Sequence, residues 1–194
     1  MIRSVCVFCG SNTGNSPSFA EVAHDFGALL AKEGIALVYG GGQVGLMGVV
    51  ADAVLAGGGK AVGVIPRALW DREVGHRNLT ELHIVETMHE RKAMMASLAD
   101  AFVALPGGLG TMEEIFEVWT WTQLGIHVKP VGFLDAEGFF GPLLTFLDRA
   151  VDAGFVRAQH RAIAIVDADP AALLRRLGEH EPPRVEKWIS ESES

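Results

Sequence analysis

The chain has 194 residues, 49% of them apolar and 21% charged, with a formal net charge of −8. A single domain of that length buries enough surface to need neither disulfides nor a structural metal. The acidic balance argues against a sequence-independent grip on nucleic acid or an anionic membrane, and no apolar run reaches the ~18 residues of a membrane span. The N-terminus MIRSVCVFCG lacks the layout of a signal peptide, so the expected location is the cytoplasm. Glycine is abundant, with 23 residues against a usual share of ~7%, which signals demanding backbone turns.

Strand-like apolar runs alternate with helical patterns along the chain. The first strand is about Arg3–Phe8. Ser16-Pro17 reads as an N-cap followed by proline in the first helical turn, and Phe19, Val22, Phe26, Leu29 and Leu30 recur at helical spacing before Gly34. Ile35–Tyr39 is a second strand, followed by Gly40-Gly41-Gly42 and a helix through Leu46, Val50 and Val54. Ala61–Ile65 is a third strand, closed by Pro66; the polar stretch Arg67–Glu81 has only weak periodicity. A short strand His83–Val85 leads to a helix from about His89 to Leu98. Ala101–Leu105 is a strand that stops at Pro106-Gly107-Gly108, and a long helix spans about Thr111–Leu124. Val131–Leu134, a helix Pro142–Ala153 and a strand Ala162–Val166 complete the pattern. The tail 181–194, rich in Glu, Ser and Pro, reads as a loose, flexible extension in which Trp188-Ile189 offers an anchor.

Apolar strands without alternation, separated by helices, mean a parallel sheet covered on both faces. With no linker in view, residues 1–180 form one α/β domain, a doubly wound, Rossmann-like parallel sheet. Ligands in such sheets bind beyond the carboxyl ends of the strands. That rule brings three loops to one edge: Cys9–Asn15, Gly40–Gly45 and Pro106–Thr111.

The two cysteines, Cys6 and Cys9, have C-x-x-C spacing. On a strand, positions three apart face opposite sides, so the sulfurs do not meet, and both read as small buried hydrophobes. A zinc site would need further ligands at suitable spacing, and none is present. No metal and no cofactor is expected.

The sharpest motif is Pro106-Gly-Gly-Leu-Gly-Thr-Met-Glu-Glu114, where a strand ends, glycines turn the chain and a helix begins. Glycines let backbone N–H groups approach a ligand, and a helix N-terminus favours an anion, so Gly107, Gly108, Gly110 and Thr111 are candidate phosphate binders. The competing reading is structural: Thr111 as N-cap, with Glu114 three residues on completing a capping box. The glycine spacing matches neither the dinucleotide fingerprint nor a Walker loop. Gly40–Gly48 is a second glycine turn, in which Gly42 either cradles part of a nucleotide or serves tight packing. Met88-His-Glu-Arg-Lys92 opens a helix near the same edge. Arg91 and Lys92 lie ~100° apart around it, so one is expected to face the pocket and the other solvent, unless both are simply solvated. Arginine suits a two-pronged hold on carboxylate or phosphate.

The set Cys9-Gly-Ser11, Tyr39–Gly48, Met88–Lys92 and Pro106–Glu114 closely resembles the LONELY GUY family, cytokinin riboside 5'-monophosphate phosphoribohydrolases often labelled lysine decarboxylases. The resemblance covers about residues 3–166. It implies a Rossmann-like homodimer that hydrolyses the N-glycosidic bond of an adenine-type nucleoside monophosphate to free base and ribose 5-phosphate. It puts the essential arginine on Arg91, the essential glutamate on Glu114 and the phosphate loop on Gly107–Thr111. Ser11, Met88 and Lys92 join the substrate-binding set, and a further acidic position matches Glu73.

Those residue types fit the chemistry. Breaking a ribosyl C–N bond builds positive charge on the sugar, which a carboxylate stabilises while it orients the attacking water. Arg91 then anchors either Glu114 or the nucleotide. Rival readings are a general AMP nucleosidase without cytokinin preference, a non-catalytic nucleotide-binding module, and a pyridoxal-phosphate decarboxylase for which only Lys92 among the five lysines is placed to act. The helix after Glu114 spreads Phe116, Val118, Trp119, Trp121 and Leu124 beyond a single apolar stripe. That breadth, with the resemblance, points to a homodimer in which Trp119 or Trp121 packs across the two-fold axis. The alternative is that both tryptophans belong to the monomer core.

Overall fold

The computed structural model describes residues 1–72 and 75–180; Glu73, Val74 and the tail 181–194, with Trp188 and Ile189, lie outside the described residues. Seven strands form one parallel sheet: β1 (Ser4–Phe8), β2 (Ala36–Tyr39), β3 (Ala61–Pro66), β4 (Glu81–Val85), β5 (Ala101–Ala104), β6 (Val131–Leu134) and β7 (Ala164–Asp167). Their order is β4-β3-β2-β1-β5-β6-β7. The chain winds outward from β1 to β4 and returns to the other side of β1 to continue with β5. The topological switch point therefore falls between β1 and β5, where a doubly wound sheet opens a crevice.

The strand sequences explain the double cover. β1 and the residue after it alternate Val5, Val7 and Cys9 into one apolar cluster and Cys6 and Phe8 into the other. The cysteines thus lie on opposite faces of the sheet, both free and buried, and burial pushes both thiols well above their usual range. One face is covered by α1 (Pro17–Lys32), α2 (Gly45–Ala56) and α8 (Pro170–Glu179), through Phe26, Leu30, Val50, Val54, Leu173 and Leu177. The other is covered by α4 (Met88–Leu98), α5 (Leu109–Leu124) and α6 (Gly141–Asp152), through Met95, Ile115, Val118, Trp119 and Leu147.

Several boundaries differ from the sequence reading. The stretch after β3 contains a short helix, α3 (Arg67–Trp70); a second short helix, α7 (Ala158–Arg161), precedes β7, and α8 extends the fold beyond the last apolar run. Asp169-Pro170 starts α8, with the Asp169 carboxylate accepting from the Ala172 N–H at 2.6 Å. Ser16 occupies the N-cap of α1 without capping it, because its hydroxyl is engaged by Ser18 and Glu137. No helix among the described residues is long and apolar enough to cross a membrane.

Candidate active site

The loops after β1 and β5 meet at the switch point. Gly10 N–H donates to the Pro106 carbonyl at 3.0 Å, and Leu46 N–H donates to the Gly10 carbonyl at 3.0 Å. Between them lies a cavity of about 240 Å³, walled by Gly10, Ser11, Gly107 and Gly108 on the loop side and by Phe19 and Phe139 opposite.

α5 begins here, two residues earlier than its sequence suggests. Gly108 is the N-cap and Leu109, Gly110 and Thr111 form the first turn. The expected capping box between Thr111 and Glu114 is therefore absent: Thr111 already lies inside the helix, buried, with its hydroxyl packed on Gly107. A Cβ on Gly107 would sit 2.1 Å from Thr111 Oγ1 and 2.8 Å from the Gly10 amide nitrogen, so only glycine closes this turn. The first-turn amides of a helix have no acceptor within it, and those of Leu109, Gly110 and Thr111 are left for an anion at the helix end. The real capping box is on α4, where Thr87 Oγ1 accepts from Glu90 N–H and Glu90 Oε2 accepts from Thr87 N–H.

That cap fixes the start of α4, which delivers Arg91 and Lys92. Neither is solvated, contrary to the expectation from composition: each residue is only 9% exposed. Arg91 crosses beneath the carboxyl edge of β2 and β3. Its Nε donates to the Val64 carbonyl at 3.2 Å and Nη1 lies 3.7 Å from Met88 Sδ. Nη1 also stands 3.5 Å from Glu114 Oε1, with both side chains almost entirely buried. The guanidinium lies so close to Gly40 that a Cβ there would sit 1.8 Å from Nη2. Arg91 thus pairs with Glu114. Burial pushes the Glu114 carboxyl above the ordinary carboxylate range, and Arg91 is the strongest influence pulling it back. Glu114 also acts electrostatically on the Cys9 and Cys6 thiols of β1 and its following loop, which places it near the switch point.

Lys92 points to different partners. Its ammonium donates to Glu113 Oε1 at 2.5 Å and to Glu117 Oε1 at 3.0 Å. Those bonds hold it protonated, its proton affinity raised despite burial. An ammonium locked between two carboxylates is a poor Schiff-base amine, which needs the neutral form, so the residues do not fit a pyridoxal phosphate site here.

Of the remaining sequence candidates, Ser11 is exposed on the cavity wall and Met88 is half-exposed at the head of α4. Gly42 is buried and forms an isolated bridge to Gly75, so it is used by the β3–β4 connection. Glu73 lies outside the described residues. The sequence reading passed over the group that holds the second glycine turn. His76 is 1% exposed, and its backbone N–H donates to the Gly41 carbonyl at 2.8 Å. Its Nδ1 accepts from Asn78 N–H at 3.2 Å, so Nε2 carries the hydrogen and donates to Asp52 Oδ1 at 2.9 Å. Arg91's seat on Gly40 is one residue from this clamp.

Comparison with known proteins finds relatives over most of the chain. A family model described as "Possible lysine decarboxylase" matches residues 47–177. Cytokinin riboside 5'-monophosphate phosphoribohydrolase LOG7 of Arabidopsis thaliana is 51% identical over 180 residues, 93% of this chain and 83% of that protein. A probable cytokinin riboside 5'-monophosphate phosphoribohydrolase, LOGL2 of Oryza sativa subsp. japonica, is 48% identical over 188 residues, 97% of this chain and 77% of its own length. Among solved structures, the molybdenum cofactor carrier protein of Chlamydomonas reinhardtii superposes with a TM-score of 0.69 at 20% identity, over 93% of this chain and all of that one. That likeness concerns the fold alone. With the family model over two thirds of the chain and identity near one half over almost all of it, this protein belongs to the LONELY GUY family of phosphoribohydrolases.

Proposed function

We propose that the protein hydrolyses the N-glycosidic bond of adenine-type nucleoside 5'-monophosphates, N6-modified cytokinin nucleotides in the first place, releasing the free base and ribose 5-phosphate. The observation that carries this reading is one helix. α5 offers the first-turn amides of Leu109, Gly110 and Thr111 and, a turn later, a buried carboxylate at Glu114 paired with Arg91. A phosphate at the amides and an anomeric carbon near the carboxylate fit one nucleotide.

The division of labour follows from the environment. The glycine amides and Ser11 grip the phosphate, and that grip, made far from the bond that breaks, serves to position the sugar. As the C–N bond lengthens, positive charge develops on the ribose ring. The Glu114 carboxylate, in a site of low dielectric, stabilises that charge more than it would in water and orients or deprotonates the attacking water. Arg91 keeps Glu114 ionised in a place where burial favours its neutral form. In this reading Lys92 stands outside the phosphate grip, since its ammonium is held by Glu113 and Glu117.

The test is turnover with free base detected by chromatography, on N6-isopentenyl-AMP, AMP and the two matching nucleosides. Both nucleotides should release base, the prenylated one with the higher kcat/KM, and the nucleosides should react far more slowly. Equal kcat/KM for AMP and adenosine would overturn the phosphate grip, and nucleotide binding with no base released would favour the carrier reading.

A homodimer belongs to the same proposal, in altered form. Trp119 is not an interface residue: it lies in the monomer core, with Nε1–H donating to the His160 carbonyl at 2.9 Å. Phe116, Trp121, Leu124 and Ile126 instead line a surface hollow of about 450 Å³ on the outer side of α5. A second copy packed on that face would bring its own α5 close to the first active site. Light scattering at micromolar concentration should give twice the chain mass; an active monomer would overturn this.

A further inference from the structure

Glu114 has carboxylate neighbours on its own helix. Glu113 precedes it, and Glu117 lies one turn beyond Glu113 on the same face, an i,i+4 pair of like charges that destabilises an isolated helix. Both raise the proton affinity of Glu114, adding to the effect of burial. A catalytic carboxylate that must act ionised is therefore placed in an unfavourable field. Lys92 stands where that field is offset. Its side chain is 9% exposed against 55% for Glu113 and 26% for Glu117, so the cation is sealed in while its partners reach solvent. One ammonium bridges both acids and ties α5 to α4 next to the Arg91–Glu114 pair.

We infer that Lys92 is a positioning residue for the reaction: bridging Glu113 and Glu117, it offsets the two charges beside Glu114 and holds α5 in the register that brings Glu114 to Arg91. This rests on the catalytic reading of Glu114. The groups that act on Glu114 are Arg91 and Lys92 from α4 and Glu113 and Glu117 from α5, and it acts in turn on the thiols of Cys6 and Cys9 on the β1 side. The thiols stay neutral, so the balance is set by two cations and two acids. Lys92 acts through its partners and touches no reacting atom.

The inference makes opposite forecasts for opposite charge changes. Lys92→Met leaves two uncompensated acids beside Glu114, so the acid limb of the kcat/KM profile moves to higher pH. The loss should be about fivefold or more near pH 6 and shrink toward about pH 8.5. The double variant Glu113→Gln/Glu117→Gln, with Lys92 intact, moves the limb to lower pH. Combining all three substitutions returns it toward the parent position, which a purely structural role for Lys92 would not produce. The double variant keeps the test decisive should Lys92→Met fail to fold. Glu114→Gln is measured beside them. If it is inactive while the acid limb stays in place in the charge variants, the Lys92 inference is overturned and the catalytic reading survives. If Glu114→Gln turns over like the parent, the catalytic reading falls and this inference falls with it.

Discussion

Two helices of nearly equal length cover opposite faces of the same sheet and solve burial in opposite ways. α2 buries Leu46, Gly48, Val50, Ala51, Ala53 and Val54, all apolar. α4 buries Met95 and Ala96 together with Arg91 and Lys92. Taking two cations out of water costs several kcal/mol each unless partners replace the lost hydration. Here each finds carboxylates on α5, and Arg91 also reaches the Val64 carbonyl. α2 shows that small apolar residues suffice to pack a helix on this sheet. The charges of α4 are thus an addition that packing does not require, located at the carboxyl edge where the fold binds ligands.

Breaking the polar side of this contrast should have the largest effect. Arg91→Ala and Glu114→Gln should each reduce kcat/KM for the nucleotide by about 10³-fold. Glu114 is not a capping residue, so the Gln variant should keep its fold, checked by an unchanged far-UV spectrum. A silent Arg91→Ala would mean that the buried pair is a packing device.

A subtler break comes through Gly40. A methyl group there would lie 1.8 Å from Arg91 Nη2 in the present arrangement, so Gly40→Ala must push the guanidinium aside. A displacement of that order should lower turnover about a hundredfold while adding only one methyl group. Parent-like kinetics would show that the exact seat of Arg91 is unimportant.

Most of the framework was legible in the sequence, because unalternated apolar runs and the glycines that end them are local signals. The site motifs were legible too, as strings of residue types. What failed had competing local signals or non-local causes. Thr-x-x-Glu occurs at both Thr87–Glu90 and Thr111–Glu114, and only the first is a capping box. At the second, Leu109 and Gly110 have already entered the helix, since Gly107 and Gly108 leave room for an earlier start. The burial of Lys92 depends on which residues of α5 face α4, and no window around position 92 contains that. Likewise, Trp119 and Trp121 look alike in sequence, but only Trp119 meets the His160 carbonyl, 41 residues away. Asp169-Pro170 is a local helix-start signal, an N-cap followed by proline, that apolar periodicity does not contain.

The apolar side of the contrast has its own prediction. Val54→Ala removes two methylene equivalents from a fully buried position, a cost of about 2 kcal/mol. In a domain of this size that lowers Tm by about 4–8 °C. Because α2 contributes packing and no charge at this position, kcat at about 25 °C should stay within about twofold of the parent. A large loss of kcat would mean that α2 transmits strain to the glycine turn before it.

The smallest effect is expected at the far end of the α4–α5 interface, where a buried imidazole resists taking up charge. His127 packs against Phe102 at 5.2 Å between ring centroids and against Trp121 at 6.3 Å. Its Nδ1 accepts from the Lys129 N–H at 3.3 Å, and its Nε2 is buried without a hydrogen bond among the described residues. Burial, with a smaller push from the Lys129 charge, lowers its pKa from 6.5 to about 4. The sign follows from linkage: the unfolded chain takes up this proton more readily than the folded one, so stability is present in full above 6.5 and declines as pH falls toward about 4. His127→Phe keeps an aromatic ring and removes the titration. Between about pH 7 and about pH 5 the parent should therefore lose more Tm than the variant, by a few degrees. Parallel Tm curves would show that His127 takes up its proton without cost. The upstream half of this interface would then differ from its downstream half only in the charges it holds, and no longer in its tolerance of them.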